Sequence, residues 1–323
     1  MDSHTCMASE TSQPIVSIIT ASFNASEYIE RAIESVASQD YKPVELIAID
    51  GGSSDGTIEI LKKHQSTVHW TSERDGGQSD AINKGIRRSR GEIIGWLDAD
   101  NAYEPGAVRE AVQLLTENPD AGVAYAGVID IEENGDIARR YMPPEFTFES
   151  FLLYHEFNFI PPSSTFIRRD ALEKIGLDEV LDVDLHYTMD FDLWIRLGLA
   201  TKFIRAERFW SRFQLRSTSK TGRQMANFGW DILTVVDRLF ARQDLPPEVR
   251  ENESRIRARL YEHAADRLIT SDFENGRKLY TRAVREAPLS ASSKLLRTAA
   301  YLHYRDSFLG RTYRGVKRKV SQH

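Results

Sequence analysis

The chain has 323 residues, 41% of them hydrophobic and 28% charged, the balance of a soluble globular protein with room for one large domain plus an appendage, or for two. A lone cysteine, Cys6, excludes a disulfide framework and a thiolate metal site and suits a reducing, cytoplasmic setting, and no apolar run approaches the ~20 residues that span a bilayer. The net charge of −6 argues against a general nucleic-acid binder, although the stretch from Arg297 onward is basic, with Asp306 its only acidic residue.

The polar leader, residues 1–13, lacks the apolar segment of a secretory signal and reads as disordered. Residues 15–20 are a first strand. Asn24 and Glu27 then have the spacing of a helix capping box, ahead of Ile29, Ala32, Ile33 and Val36 on one helical face. Residues 44–49 form a second apolar strand ending at Asp50. The turn at 51–56 follows, with Asp55 placed to cap a helix bearing Ile58 and Leu61. A short strand near 68–70 leads to the loop 76–80 and a helix holding Ala81, Ile82 and Ile86. Ile93, Ile94, Trp96 and Leu97 read as a strand buried on both faces, ending at Asp98 and Asp100. Residues 123–131 and 137–141 are predicted to pair through the hairpin turn Asn134-Gly135. Residues 165–167 are a strand, 189–197 a helix, and 202–204 and 209–213 two further strands. Beyond about residue 221 the pattern is helical, with breaks at Pro246-Pro247 and Pro288, which places the domain boundary there: 14–220 against 221–323.

Strands alternating with helices through short connections predict an α/β fold with a mostly parallel sheet. Each polar, Gly-rich turn follows the carboxyl end of a strand, where such sheets bind ligands. Asp50, the loop 76–80 and the pair Asp98/Asp100 are therefore expected to share one cleft. Two carboxylates one residue apart suit a hard divalent cation that holds a substrate's phosphates; the plainer alternative is a solvated acidic loop. Neither G-x-G-x-x-G nor G-x-x-x-x-G-K-[ST] occurs, so a Rossmann dinucleotide site and a P-loop are not indicated.

Ordered blocks make the reading specific. Residues 16–24, 35–39 and 49–57, then 77–85 (Gly-Gln-Ser-Asp-Ala-Ile-Asn-Lys-Gly), Leu97-Asp98-Ala99-Asp100, 160–166 and 190–196 follow in the order found in family 2 glycosyltransferases, which the chain resembles from residue 14 to about 220. The resemblance implies a GT-A fold, inversion at the sugar and a nucleotide-sugar donor, UDP- or dTDP-linked. It implies that Asp50 hydrogen-bonds the nucleobase and that Ala21, Phe23 and Asn24 lie beside that base; Gly77 and Asp80, in the block 77–85, are further candidates for the donor site. Asp98 and Asp100 match the family's D-x-D, Asp100 as the direct ligand of Mg²⁺ or Mn²⁺ and Asp98 nearer the ribose or the metal's waters. Asp190 matches the catalytic base; as a plain sequence feature it is a carboxylate in the first turn of a helix, favoured by the macrodipole. Met189 precedes it where many members carry an acid. Where many carry a histidine after the last strand, this chain has Gln214, Leu215, Arg216 and then Ser217 to Lys220, leaving Arg216 or Lys220 to contact the diphosphate. The Gln-x-x-Arg-Trp of processive polymerases is absent, so single additions to a glycan or lipid-linked acceptor are expected.

Several residues carry two readings. Trp194 is core or sugar platform; Arg196 pairs with a cleft carboxylate or faces solvent; Asp80 touches the donor or caps its helix; His155 and His186 have no partner at metal spacing. Outside the resemblance, Phe273, Gly276, Tyr280, Ala283 and Pro288 resemble one helical-repeat unit. The basic tail interleaves Tyr301, Tyr304, Phe308 and Tyr313 with its cations. That pattern fits an interfacial helix on an anionic membrane, or an amphipathic helix packed on the catalytic domain or a second subunit. The alternatives from other classes are a non-catalytic sugar-nucleotide scaffold and a nucleotidyltransferase; the latter should carry a basic Gly-rich loop near its first strand, and residues 21–26 have none.

Overall fold

A computed structural model describes residues 13–216 and 225–288, together with Thr298. The leader through residue 12, Ser217 to Lys220 and the basic tail beyond Thr298 lie outside the described residues.

The first half is built of β1 (Val16–Ser22), α1 (Ile29–Ala37), β2 (Val44–Asp50), α2 (Thr57–Lys63), β3 (Val68–Ser72), α3 (Gln78–Arg88) and β4 (Ile93–Trp96). β5 (Ala102–Tyr103), α4 (Ala107–Glu117), β6 (Ala121–Ile131) and β7 (Ile137–Tyr141) follow, then α5 (Phe148–Leu152), β8 (Thr165–Arg168), α6 (Arg169–Ile175), α7 (Met189–Ala200) and β9 (Lys202–Gln214). Among the described residues one nine-stranded sheet runs β3-β2-β1-β4-β8-β6-β9-β5, with β7 paired to β6. The strands β3, β2, β1 and β4 are mutually parallel, so their carboxyl ends share one edge. β8 pairs antiparallel to both β4 and β6.

Side chains on successive strand residues point to opposite faces, and β1 uses both. Ile18 packs with α1, α2 and α4, whereas Ile19 packs with α3 and α7. A strand covered by helices on each side must be apolar throughout, which is why the pattern is readable in the sequence. Two local expectations fail. Asn24 does not open a capping box: it takes φ +49° and its Oδ1 accepts from Ser54 N, while the helix begins at Ile29 after an uncapped Tyr28. A competing loop–loop hydrogen bond captures the Asn24 side chain. The two strands expected at 202–204 and 209–213 are one strand, β9, because β6 is long enough to pair with all of it through register shifts. The hairpin through Asn134-Gly135 forms as expected, with Gly135 at φ +90°.

The C-terminal region comprises α8 (Met225–Ala241), α9 (Pro247–Glu251), α10 (Glu253–Leu268) and α11 (Phe273–Glu286). Ile232, Val235, Val236, Leu239 and Phe240 line one stripe of α8 at helical spacing, and all are buried. They belong to the same apolar cluster as Phe191 and Trp194 of α7, so helices and sheet share a core. Among the described residues no helix is long and apolar enough to cross a membrane.

Candidate active site

The parallel strands deliver Asp50, the loop after β3 and the residues after β4 to one edge. Asp98 stands two residues beyond β4. Its Oδ1 accepts from Trp96 Nε1 and from Gln78 Nε2, both at 2.8 Å, so the first turn of α3 and the end of β4 aim it together. Asp98 keeps part of its surface open to the cleft, yet desolvation by the chain packed behind it, with Asp100 close by, pushes its carboxyl up to about 6. Asp100 Oδ2 lies 3.0 Å from Arg216 Nη2, and Arg31 Nη2 donates to the Asp100 carbonyl at 2.8 Å. Burial raises the Asp100 carboxyl against the opposing pull of Arg216. The Arg216 guanidinium also stands 5.0 Å from the Tyr28 ring centroid. Buried Asn101 closes the turn: its Nδ2 donates to Ser163 Oγ at 2.8 Å and its Oδ1 accepts from Gln214 N at 3.1 Å.

Asp190 enters from the first turn of α7. Its Oδ1 accepts from Phe191 N and its Oδ2 from Asn158 Nδ2, both at 2.8 Å. Desolvation pushes this carboxyl up to about 6 despite those donors. Its negative charge contributes to the rise at Asp98, which puts the two carboxylates within electrostatic reach. A carboxyl poised near neutrality in a cleft is a candidate proton acceptor.

At Asp50 the structure departs from expectation. Asp50 is fully buried and both oxygens are spent on the chain's own donors. Oδ1 accepts from the hydroxyls of Ser22 and Ser53, and Oδ2 from Gly52 N, Ser53 N and Ser72 Oγ, at 2.5–3.1 Å. Burial alone would raise its carboxyl, but these bonds hold it below the usual range. It has no surface left for a nucleobase. The carboxylate beside the adjoining turn is Asp75, whose Oδ2 would stand 3.0 Å from a Cβ added at Gly51 and whose Oδ1 accepts from Gly77 N at 2.9 Å. Ala21 pairs in register with Ile49 beside this turn, Phe23 is 66% exposed at its rim, and Asn24 N donates to Ser53 Oγ at 2.7 Å. Gly77 takes φ +103° with open space where a Cβ would be, a conformation that favours glycine. Asp80 accepts from Gly76 N at 2.9 Å and pairs with Lys84 at 3.0 Å, so it ties its own loop.

The remaining alternatives resolve. Trp194 is fully buried core. Arg196 pairs with Asp192 at 2.7 Å and also donates to the Val180 carbonyl. His155 and His186 are exposed. Reading the sequence alone misses Trp96, Gln78, Asn101 and Asn158 as the residues that hold the carboxylates and their turn. Gln78 lies inside the block 77–85 and Trp96 directly before Leu97-Asp98-Ala99-Asp100, so both carried a signal; Asn158 lies in an aromatic loop with no periodic pattern.

As for a cation, among the described residues no three His, Cys, Asp or Glu side chains group as a metal cage. The donor set still fits Mg²⁺ or Mn²⁺. Such ions are held by one or two carboxylates plus substrate phosphates and water. Trp96 and Gln78 engage one oxygen of Asp98, and Arg216 one oxygen of Asp100, leaving each carboxylate a second oxygen.

Residues 17–176 match the family model described as Glycosyl transferase family 2. An uncharacterised glycosyltransferase of Rickettsia typhi is 30% identical over 198 residues, 59% of this chain and 60% of that protein, so the chain spans about three-fifths of that relative. One from Mycobacterium tuberculosis is 32% identical over 192 residues, 58% of this chain and 71% of that protein. Among solved structures, S. aureus TarS 1-349 in complex with UDP superposes with a TM-score of 0.62 at 17% identity, over 95% of this chain and 91% of that one. The mannosyltransferase PcManGT from Pyrobaculum calidifontis, in complex with GDP-Man and Mn²⁺, gives 0.59 at 17% identity, over 94% and 84%. At such identities the structural likeness speaks to the fold: the mixed α/β GT-A architecture followed by helices.

Proposed function

We infer that the chain, which belongs to glycosyl transferase family 2, acts as a glycosyltransferase. From that premise we propose that it is metal-dependent and inverting, moving a sugar from a UDP- or dTDP-linked donor to a hydroxyl of a glycan or lipid-linked acceptor, one addition at a time. The observation that carries this reading is the convergence of Asp98, Asp100 and Asp190, from two separate elements, on the carboxyl edge of the parallel strands. It is supported by the donors and the Mn²⁺ named for the structural neighbours, which bind UDP in one case and GDP-Man in the other.

In this reading Asp98 and Asp100 would hold Mg²⁺ or Mn²⁺, which would supply Lewis-acid neutralisation of the departing diphosphate. Arg216 is the cation next to Asp100, and its guanidinium would turn onto two diphosphate oxygens, a bidentate geometry that lysine cannot reproduce. The turn 51–55, braced by Asp50, walls the nucleobase together with Ala21, Phe23 and Asn24, while Gly77 lets the donor approach the start of α3. Asp190 takes the proton of the acceptor hydroxyl as that oxygen attacks the anomeric carbon from the face opposite the leaving group. One base opposite one leaving group gives inversion.

Asp190→Asn tests the assignment. General-base assistance is typically worth about 10²–10⁴-fold, so transfer should fall at least about 100-fold with donor affinity unchanged. A raised base sets the sign of the pH dependence. Asp190 is a carboxylate above about pH 6 and protonates below it, and Asp98 is raised to a similar value, so kcat/KM should drop at least about tenfold per pH unit on the acid side. Lost donor binding in Asp190→Asn, or retained transfer, would refute the role.

A further inference from the structure

Asn158 reaches Asp190 from a loop that the C-terminal helices hold in place. Phe157, just before it, has φ +85°, a left-handed conformation that side chains with a Cβ rarely adopt. Such a residue persists only where its surroundings fix it. The Phe157 ring is buried against Phe191 of α7, at 4.2 Å between centroids, against Phe228 of α8 at 5.4 Å and against His263 of α10 at 5.6 Å. The Arg267 guanidinium of α10 stands 5.1 Å from the Phe157 centroid and 4.3 Å from that of Phe228. Three residues back, the Tyr154 carbonyl accepts from His263 Nε2 at 2.9 Å. Two helices therefore grip the loop at Tyr154 and Phe157, just ahead of Asn158.

The turn fixes the amide. Asn158 Oδ1 accepts from Ile160 N at 3.0 Å, which settles which end of the carboxamide is oxygen. Nδ2 is left facing Asp190 Oδ2 at 2.8 Å. We propose that Asn158 is a positioning residue for Asp190, and that α8 and α10 are the clamp that keeps it there. The inference rests on Asp190 being the base. A neutral amide suits such a role, since it locks the carboxylate rotamer without the strong loss of basicity that a neighbouring cation would cause. It also gives the helical region, which lies outside the family match, a part in the chemistry.

The test uses full-length Asn158→Ala, Asn158→Asp and Phe228→Leu beside Asp190→Asn. Thermal unfolding establishes that each is folded. UDP titration with Mn²⁺ reads donor-site integrity. Nucleotide diphosphate release, from whichever sugar of a UDP-, dTDP- and GDP-linked panel is turned over, reads kcat across pH. Asn158→Ala should lower kcat about 10- to 100-fold, the cost of a misplaced catalytic group, with UDP affinity unchanged. Its acid limb should move to higher pH, because the charged carboxylate has lost a donor, and further in Asn158→Asp, where a like charge faces it. Phe228→Leu should lose less kcat in the same direction. A folded Asn158→Ala with wild-type kcat and acid limb, beside an inactive Asp190→Asn, overturns the positioning role and leaves the base standing. A Phe228→Leu with unchanged kcat overturns the clamp. An active Asp190→Asn removes the base reading and this inference with it.

Discussion

At the scale of single residues, carboxylates of the same type are put to opposite uses by their surroundings. Asp98 and Asp190 meet few donors and are pushed up towards neutrality; Asp50, with no surface open to solvent, is surrounded by hydroxyls and amides and is held low. Asp50→Ala would leave Gly52 N, Ser53 N and three serine hydroxyls without their acceptor. A buried donor left unmade costs about 1–3 kcal/mol, and some of these groups can turn to one another. We expect a net loss of about 3 kcal/mol, read as a lower urea midpoint, and a midpoint within error of the parent would contradict the bracing role. The roles proposed for Asp98, Asp100 and Asp190 were open to a reading of the sequence because catalysis demands those residue types at strand ends and helix starts. The true setting of Asp50 was not. Its partners Ser22 and Ser72 come from two other strands, and nothing in a linear motif says that they will converge.

At the scale of elements, period and packing explain most of what forms. The strands β1, β2 and β4 were legible because burial on both faces demands unbroken apolar runs, and α3 because Ala81, Ile82 and Ile86 repeat at helical spacing. The start of α1 was hidden where a loop competes for Asn24, and β9 reads as two strands where its exposed middle, Glu207 and Arg208, breaks the apolar pattern. The helix α3 shows how tightly sheet and helix approach. An added Cβ at Gly85 would stand 2.3 Å from Ile19 Cγ2, the side chain at the middle of β1. Alanine would favour the helix by about 1 kcal/mol over glycine, but overpacking a core typically costs about 1–3 kcal/mol. Gly85→Ala should therefore destabilise, with a lower urea midpoint at unchanged slope. A raised midpoint would mean that α3 can shift away from the sheet at no cost.

At the scale of the whole molecule, the helical region joins the core of the sheet rather than hanging beside it. His263 makes that junction sensitive to pH. It is 5% exposed, and burial lowers its pKa from 6.5 to about 4 even though its bond to the Tyr154 carbonyl opposes the shift. The unfolded chain then binds the extra proton between those two values, so stability present at neutral pH is lost as pH falls from about 6.5 towards 4. The loss amounts to at most about 3 kcal/mol. His263→Gln can keep a donor to Tyr154 and should flatten that part of the stability profile; an unchanged slope would show that other groups set it. We further expect the regions on either side of residue 220 to unfold in one transition, since α7 and α8 bury the same side chains.

Asp98 and Asp100 are proposed to take a nucleoside diphosphate through a cation that both carboxylates hold. Calorimetric titration of UDP, dTDP and GDP, each with and without Mn²⁺, tests this most directly. One of them should bind only when the metal is present, and Asp100→Asn should abolish that binding. No binding by any of the three, or affinities that do not change with the metal, would contradict it.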